Sequence, residues 1–389
     1  GAVPETVFVF VVILGAALLV SIAVERMRIP PAVPLVAVGA IVGSVWHLRL
    51  PFAFGPALLF VFLPPLIFEA AWNIDVSALR TRVGTMIFLA LPGTLLSAFA
   101  VAAALTLVGA LPFGAALLLG AIVSATDPVA VVAIFAKCAV PAATRTLVEA
   151  ESIANDGVAV VLYGIAFAAV SGLVINWGSA ALHGVAAIVI GLAIGAAMAV
   201  PIRALVARTT APEYEVTATI ALAYGAYVAA SFAHASGIFA TAAAALTLRA
   251  LVRRRLLMEN QNHVDAFWRT VAYIVNAAVF LVTGLLIDLP RAIHEPVLVI
   301  AAIAALAVSR AILAAVSASD WPERVTVYLA GMRGALPLAL ALALPPETPQ
   351  RAAIIDGVFA VVLVTLVIQG AVLRPVLERL YGAASGEHA

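Results

Sequence analysis

An all-α protein that crosses a membrane about thirteen times, as two inverted six-helix repeats, is what three features of this sequence predict. The first is composition: 65% of the 389 residues are hydrophobic and 11% are charged, whereas soluble domains run about 45–50% apolar and about 25% charged. The second is that the apolar residues come in runs near the roughly 20 residues a spanning helix needs. The third is that two of these runs, the fifth and the twelfth, carry helix breakers at matching places in the two halves.

The runs, bounded by Pro, Gly and charges, are taken in order. Residues 5–24 form a first span with no basic stretch before it, so it reads as a retained helix rather than a cleaved signal. Spans follow at 30–46, behind Pro30-Pro31; at 56–73, which carries Pro64-Pro65 and Glu69; and at 83–108, from Arg82 to Gly109. The fifth, 114–137, contains Pro128, and the sixth, 145–172, is unusually polar in its first half. The Gly- and Ala-rich seventh, 179–200, suits close helix packing. The second half continues at 213–234, 237–252, 265–287, 296–317, 324–345 and 352–380. The tail from Tyr381 to Ala389 is too short for a regulatory domain.

Several classes of function are excluded. A formal net charge of +1 with singly scattered arginines offers no nucleic-acid surface. One cysteine, Cys138, excludes a disulfide framework and a thiolate metal site. The histidines (His47, His183, His234, His263, His294 and His388) are unpaired in sequence, so neither a cofactor nor an intramembrane enzyme's metal or Ser/His set is expected.

Basic residues set the orientation. With the N-terminus outside, Arg26, Arg28, Arg80, Arg82, Lys137 and Arg145 head a large inward majority, against Arg49, Arg291 and Arg351 outside. An odd number of spans then leaves the C-terminus in the cytoplasm, and the protein is expected as a multi-pass protein of the inner membrane. Arg253-Arg254-Arg255 reads as a topology signal that can also meet anionic lipid. Trp46, Trp177, Trp268 and Trp321, near span ends, read as interfacial anchors, and Trp72 sits near the inner end of the third span.

Charge inside the membrane marks function. Glu69, Asp127, Glu151 and Asp156 each lie deep in an apolar run, against two basic residues at similar depth, Arg310 and Arg333. In the sixth span Ser152 and Asp156 are four apart and share a helical stripe, and Glu151 with Asn155 form a neighbouring one. A carboxylate with a hydroxyl one turn away is hard oxygen chemistry suited to a small cation. A bare carboxylate at that depth is costly, so a proton and a cation can compete for Asp156. Glu151 needs a counter-charge, and Arg310 is available to provide it.

The fifth span carries Ser124-Ala125-Thr126-Asp127-Pro128 and the twelfth Gly331-Met332-Arg333-Gly334-Ala335-Leu336-Pro337. Each proline ring is expected to break its helix by clashing with the carbonyl four residues back, of Ser124 and of Arg333. Asp127 can offset the positive N-terminal ends of the half-helices there, and Arg333 the negative C-terminal ends. If spans 1–6 and 8–13 are the repeats, the intervening seventh inverts the second. Interrupted helices at matching positions point to a mid-membrane transport site. The residues therefore describe a secondary transporter with a carboxylate cation site.

Four segments, Phe62-Leu63-Pro64-Pro65-Leu66-Ile67-Phe68-Glu69-Ala70, Ala125-Thr126-Asp127-Pro128-Val129-Ala130, Glu151-Ser152-Ile153-Ala154-Asn155-Asp156-Gly157 and Gly331-Met332-Arg333-Gly334-Ala335, resemble the NhaP/NHE group of sodium/proton antiporters. The resemblance implies an NhaA-like fold and makes Asp156 the carrier of the ion and the proton. Ser152, Glu69 and the carbonyl of Thr126 would coordinate Na⁺, with Asp127 close by. Glu151 would pair with Arg310, and Asn155 would stabilise the site. An Asn-Asp pair in place of two aspartates implies electroneutral exchange of one cation for one proton. The resemblance further implies a homodimer, with interface helices in 1–75 and 209–290, moving core helices in 76–175 and 291–381, a linker at 176–208 and a short tail at 382–389. Its rivals are K⁺/H⁺ exchange and, in other classes, a sodium-coupled solute symporter or an ion channel. The mid-span residues, mostly Ser and Thr apart from the acids, supply little for an organic solute.

Overall fold

The computed structural model describes residues 5–24, 32–46, 56–135, 137–208, 211–253, 261–286 and 295–382. Its elements are helices: α1 (Glu5–Val24), α2 (Ala32–Trp46), α3 (Pro56–Asn73), α4 (Val76–Leu79), α5 (Val83–Leu107), α6 (Phe113–Ser124), α7 (Pro128–Phe135), α8 (Ala142–Val170) and α9 (Trp177–Val206) in the first part. Then come α10 (Pro212–Phe232), α11 (Gly237–Arg253), α12 (Gln261–Leu286), α13 (Pro296–Ser317), α14 (Trp321–Leu329), α15 (Ala335–Leu342) and α16 (Arg351–Tyr381). Among the described residues, 7 helices are long and apolar enough to cross a membrane: α5, α8, α9, α10, α12, α13 and α16. The other expected crossings fall on α1, on the shorter apolar stretches of α2, α3 and α11, and on two interrupted pairs. Of the basic residues that set the expected orientation, Arg26, Arg28, Arg49, Arg254, Arg255 and Arg291 lie outside the described residues.

The fifth expected span is α6 and α7, separated by Ala125–Asp127, and the twelfth is α14 and α15, separated by residues 330–334. Each break takes in the residues that precede the proline expected to interrupt its span. Pro128 is the first residue of α7, and Pro337 lies in the first turn of α15, positions where a missing N–H costs nothing. Elsewhere α3 runs through Pro64 and Pro65, α5 through Pro92, α9 through Pro201 and α16 through Pro375 without interruption. Where the helices do break, the freed backbone groups find partners in the protein, the condition for irregular chain at membrane depth.

The helices pack in two neighbourhoods. In one, α2 lies along α12, α9 along α11, and α3 against α10, α11 and α12. In the other, α5 is flanked by α6, α8 and α13, while α14 rests on α13 and α16. Contacts of α8 with α3, α9 and α11 join the two.

The first neighbourhood is closed near the end of α3 by aromatic rings, one of them, Trp268, expected as an interfacial anchor. Trp268 is 1% exposed and donates its indole N–H to Thr219 Oγ1 at 3.0 Å, so it is a core residue and not an interfacial anchor. Trp72, fully buried, donates to Asp265 Oδ1 at 2.7 Å beneath the Arg249 guanidinium, itself 3.0 Å from the same carboxylate. Phe68 fills the space between the two indoles, with centroids at 5.7 and 4.6 Å. Trp177 and Trp321 are exposed, and the Trp46 side chain lies outside the described residues.

Candidate functional site

Buried polar groups collect where α8 passes the two interruptions. Asn155, on α8, accepts the Thr126 N–H at 3.2 Å and donates its amide to Thr126 Oγ1 at 2.6 Å and Glu151 Oε1 at 3.0 Å. Ser152, on the next stripe, donates to the Thr126 carbonyl at 2.7 Å and accepts from Thr126 Oγ1 at 3.1 Å. One residue of the fifth span's break is therefore fastened to α8 through its N–H, its carbonyl and its hydroxyl. The breaks are fastened to each other as well, since the Asp127 N–H donates to the Met332 carbonyl at 2.8 Å.

Charges dress the ends of the half-helices. Arg333 Nη1 donates to the carbonyls of Ser124 and Ala125, at 3.2 and 3.4 Å, where α6 ends. Arg310 Nε donates to the carbonyl of Val327 in the last turn of α14 at 2.9 Å. Each arginine places positive charge on C-terminal carbonyls that the interrupted helix cannot pair itself. Asp127 heads α7, and its carboxyl group also lies against Gly334 at the start of α15. A Cβ on Gly334 would overlap the Asp127 side chain, so this close approach requires glycine. Asp127 thus serves both N-terminal ends.

Glu151 is almost wholly buried and forms a two-pronged ion pair with Arg310, Oε1 to Nη1 at 2.9 Å and Oε2 to Nη2 at 3.1 Å. This joins α8 to α13 and leaves Glu151 neutralised. Asp156 differs. It is 8% exposed, and its Oδ1 is buried without a hydrogen-bond partner. The charges acting on it are those of Asp127 and Glu151, of like sign, and of Arg333. A buried carboxylate oxygen without a partner is uncommon enough to require a reason. Ser152 lies one turn away on the same stripe of α8, and its Oγ holds the carbonyl of Thr126, in the fifth span's break, so a serine oxygen and a backbone carbonyl stand on the side of the helix that bears Asp156.

The contacts described for Glu69 run to its own helix and to its neighbours. Its Oε1 accepts from Asn73 at 2.8 Å, it is influenced by Arg269 of α12, and it acts on Glu149 of α8. Glu149 precedes Asp156 by two helical turns, about 10 Å of rise. The described contacts of Glu69 do not include Asp156 or Ser152, with which it was expected to bind Na⁺. Spacing within one segment cannot reveal which part of α8 another helix faces.

Some buried charges were not expected. Glu323, 6% exposed, pairs with Arg82 at 2.6 Å and accepts from Thr144, tying the starts of α5, α8 and α14 together. Its signal was present in the sequence. Asp320, the N-cap of α14, accepts the Glu323 N–H at 2.8 Å while Glu323 Oε2 accepts the Ser319 N–H at 3.4 Å, a relative of the capping box, spelled Asp320-Trp321-Pro322-Glu323, whose return bond goes to the residue before the N-cap.

Known proteins share both the sequence and the fold. The family model for "Sodium/hydrogen exchanger, transmembrane" matches residues 11–379. The Na(+)/H(+) antiporter ApNhaP of Aphanothece halophytica is 33% identical over 97% of this chain and 74% of its own length. The Na(+)/H(+) antiporter NhaH of Halobacillus aidingensis is 30% identical over 96% of this chain and 98% of its own. In fold, the sodium proton antiporter MjNhaP1 of Methanocaldococcus jannaschii superposes with a TM-score of 0.78 over 94% of this chain and 99% of its own, at 18% identity. With a family model spanning nearly its whole length and relatives of this similarity, the chain belongs to the sodium/hydrogen exchanger family of multi-pass membrane proteins.

Proposed function

We propose that this protein exchanges Na⁺ for H⁺ by alternating access, with Asp156 carrying either ion. The observation that carries the reading is the buried, unpartnered Asp156 oxygen beside two interrupted helices. The antiporter relatives support the choice of ions.

Charge counting favours one-for-one, electroneutral exchange. Glu151 is cancelled by Arg310, and one of the two aspartates is matched by Arg333. A single negative charge remains, and one Na⁺ or one H⁺ neutralises it. Moving the site with that charge bare is disfavoured in an apolar bundle, so the protein moves loaded with one ion or the other. Asp156, Ser152 Oγ, the Thr126 carbonyl and Asp127 form the proposed ligand set. The 2.7 Å hydrogen bond between Ser152 and the Thr126 carbonyl is what an entering cation replaces. Asn155 and the Glu151–Arg310 pair hold the frame, and Li⁺, a smaller ion of the same charge, is a further proposed substrate.

The packing supports a division of labour. The neighbourhood of α5–α8 with α13–α16 is the proposed moving part, and α1–α3 with α10–α12 the proposed interface of a lipid-embedded homodimer, linked through α9. The arginine bias supports an outer N-terminus and a cytoplasmic C-terminus.

Proteoliposomes with an imposed pH gradient, challenged in turn with Na⁺, Li⁺ and K⁺, test the proposal. The expected result is dissipation by Na⁺ and Li⁺ that ignores membrane voltage and is absent in Asp156→Ala. A response to K⁺ alone would replace the substrate, and normal exchange by Asp156→Ala would remove the carrier assignment.

A further inference from the structure

Between Asp356 and Arg374, α16 carries two polar side chains, Thr365 and Gln369, in an otherwise apolar run. They are four residues apart and share a stripe of the helix, and neither the ligand set nor the helix-end charges make use of them. An amide at membrane depth is costly unless it is hydrogen-bonded. Both residues line a cavity of about 180 Å³, together with Arg310 of α13, Tyr328 of α14 and Arg333 of the twelfth span's break.

Two of these lining residues keep a buried polar atom without a hydrogen-bond partner among the described residues: Arg333 its Nε, a donor, and Gln369 its Oε1, an acceptor. Their neighbours are satisfied. Arg310 Nε is met by the Val327 carbonyl, and Thr365 Oγ1 donates to the Val362 carbonyl of its own helix at 3.0 Å, which leaves its oxygen able to accept. An unmet buried donor or acceptor is uncommon singly, and here one of each belongs to the same cavity. A polar cavity holds water when it offers two to four polar partners and at least about 10–15 Å³ for the water's centre, and this one meets both conditions.

We infer that Gln369 is a positioning residue for the transport site, joined to Arg333 through water held in this cavity. The guanidinium is otherwise fixed by its Nη1 bonds to the Ser124 and Ala125 carbonyls, 3.2 and 3.4 Å long. A second hold, at Nε, sets the plane of the guanidinium and with it the end of α6. The next residue is Thr126, whose carbonyl belongs to the proposed ligand set, and the Arg333 charge also acts on Asp156. The inference rests on the antiport reading and adds to it a glutamine on α16 that touches neither the ion nor the carrier. Water-mediated bonds of this kind are enthalpically nearly as good as direct ones.

Two measurements test it. In proteoliposomes, Gln369→Leu is expected to raise the half-saturating Na⁺ concentration about threefold, the scale of one net hydrogen bond, with the maximum rate per folded protein kept. Gln369→Asn, whose amide water can still reach, is expected to restore the wild-type value. A wild-type Na⁺ requirement in Gln369→Leu, or a Gln369→Asn variant as impaired as Gln369→Leu, would overturn the inference. The second measurement needs no transport: thermal midpoints of Gln369→Leu, of Arg333→Lys, which keeps the charge and removes the Nε–H, and of the double variant. The bridge is lost only once, so the double variant is expected to melt no lower than the less stable single one, and losses that simply add would overturn the bridge. Coupled midpoints in a protein that did not exchange Na⁺ would keep the bridge and overturn the antiport reading.

Discussion

The Asp127 N–H donates to the Met332 carbonyl at 2.8 Å, which couples the interruption of the fifth span to that of the twelfth. The two breaks are more than two hundred residues apart in the chain, yet this bond makes them one structural unit. With Arg333 on the Ser124 and Ala125 carbonyls and Asp127 against Gly334, each break supplies the charge that the other's helix ends need.

Gly334→Ala tests that unit. The added methyl overlaps the Asp127 side chain, and the crossing has no slack to accommodate it. Exchange in proteoliposomes is expected to fall by at least about tenfold, equivalent to about 1.4 kcal/mol on the barrier, in protein that still elutes as a folded species. Wild-type exchange by Gly334→Ala would show that the close approach is dispensable.

Glu151→Gln and Arg310→Ala each leave one buried charge without its partner. Removing one member of such a pair costs about 3–5 kcal/mol, so both variants are expected to lower the thermal midpoint in detergent by several degrees. Arg310→Lys should recover little, since an ammonium cannot reproduce the two-pronged geometry and the bond to Val327 together. A double variant no worse than either single one would measure the coupling directly.

Asn155→Ala removes the acceptor of the Thr126 N–H and the donor to Thr126 Oγ1. Stranding buried polar groups costs about 1–3 kcal/mol each. The Thr126 carbonyl should then lose its fixed aim, so the half-saturating Na⁺ concentration is expected to rise along with the loss of thermal stability. Titration of Na⁺-driven exchange separates this from a loss of folded protein, which lowers the maximum rate alone.

One carboxylate serving two ions imposes competition. As pH falls through the range in which the site takes up a proton, the half-saturating Na⁺ concentration should rise by about tenfold per pH unit, the mass-action limit for two ligands on one site. A Na⁺ requirement indifferent to pH would mean separate sites for the two ions.

Cys138 is predicted to be inert. It lies in the short segment between α7 and α8, 1% exposed; burial pushes its thiol up from the ordinary value, with the Glu378 charge adding to that and Arg374 opposing it. A raised thiol holds less thiolate at neutral pH. Maleimide at pH 7 should therefore leave the folded protein unlabelled and modify it after denaturation.

Much of the architecture is legible in the one-dimensional pattern because a bilayer allows few alternatives. A run of apolar residues at that depth must satisfy its own backbone, so helices such as α3, α10 and α13 lie close to where hydropathy and punctuation place them. The acids at 127, 151 and 156 also declare themselves, because a charge in such a run is too costly to be incidental. What the tertiary structure decided is which groups meet. Pro64 and Pro65 sit in an unbroken helix while the chain before Pro128 unwinds, since only there do Asn155 and Met332 receive the freed N–H groups. Trp268 is a core residue instead of an anchor. Hydrophobicity sorts residues by depth, one coordinate at a time, whereas hydrogen bonds and ion pairs act over about 3 Å between helices remote in sequence, and that second kind of order exists only once the bundle has packed.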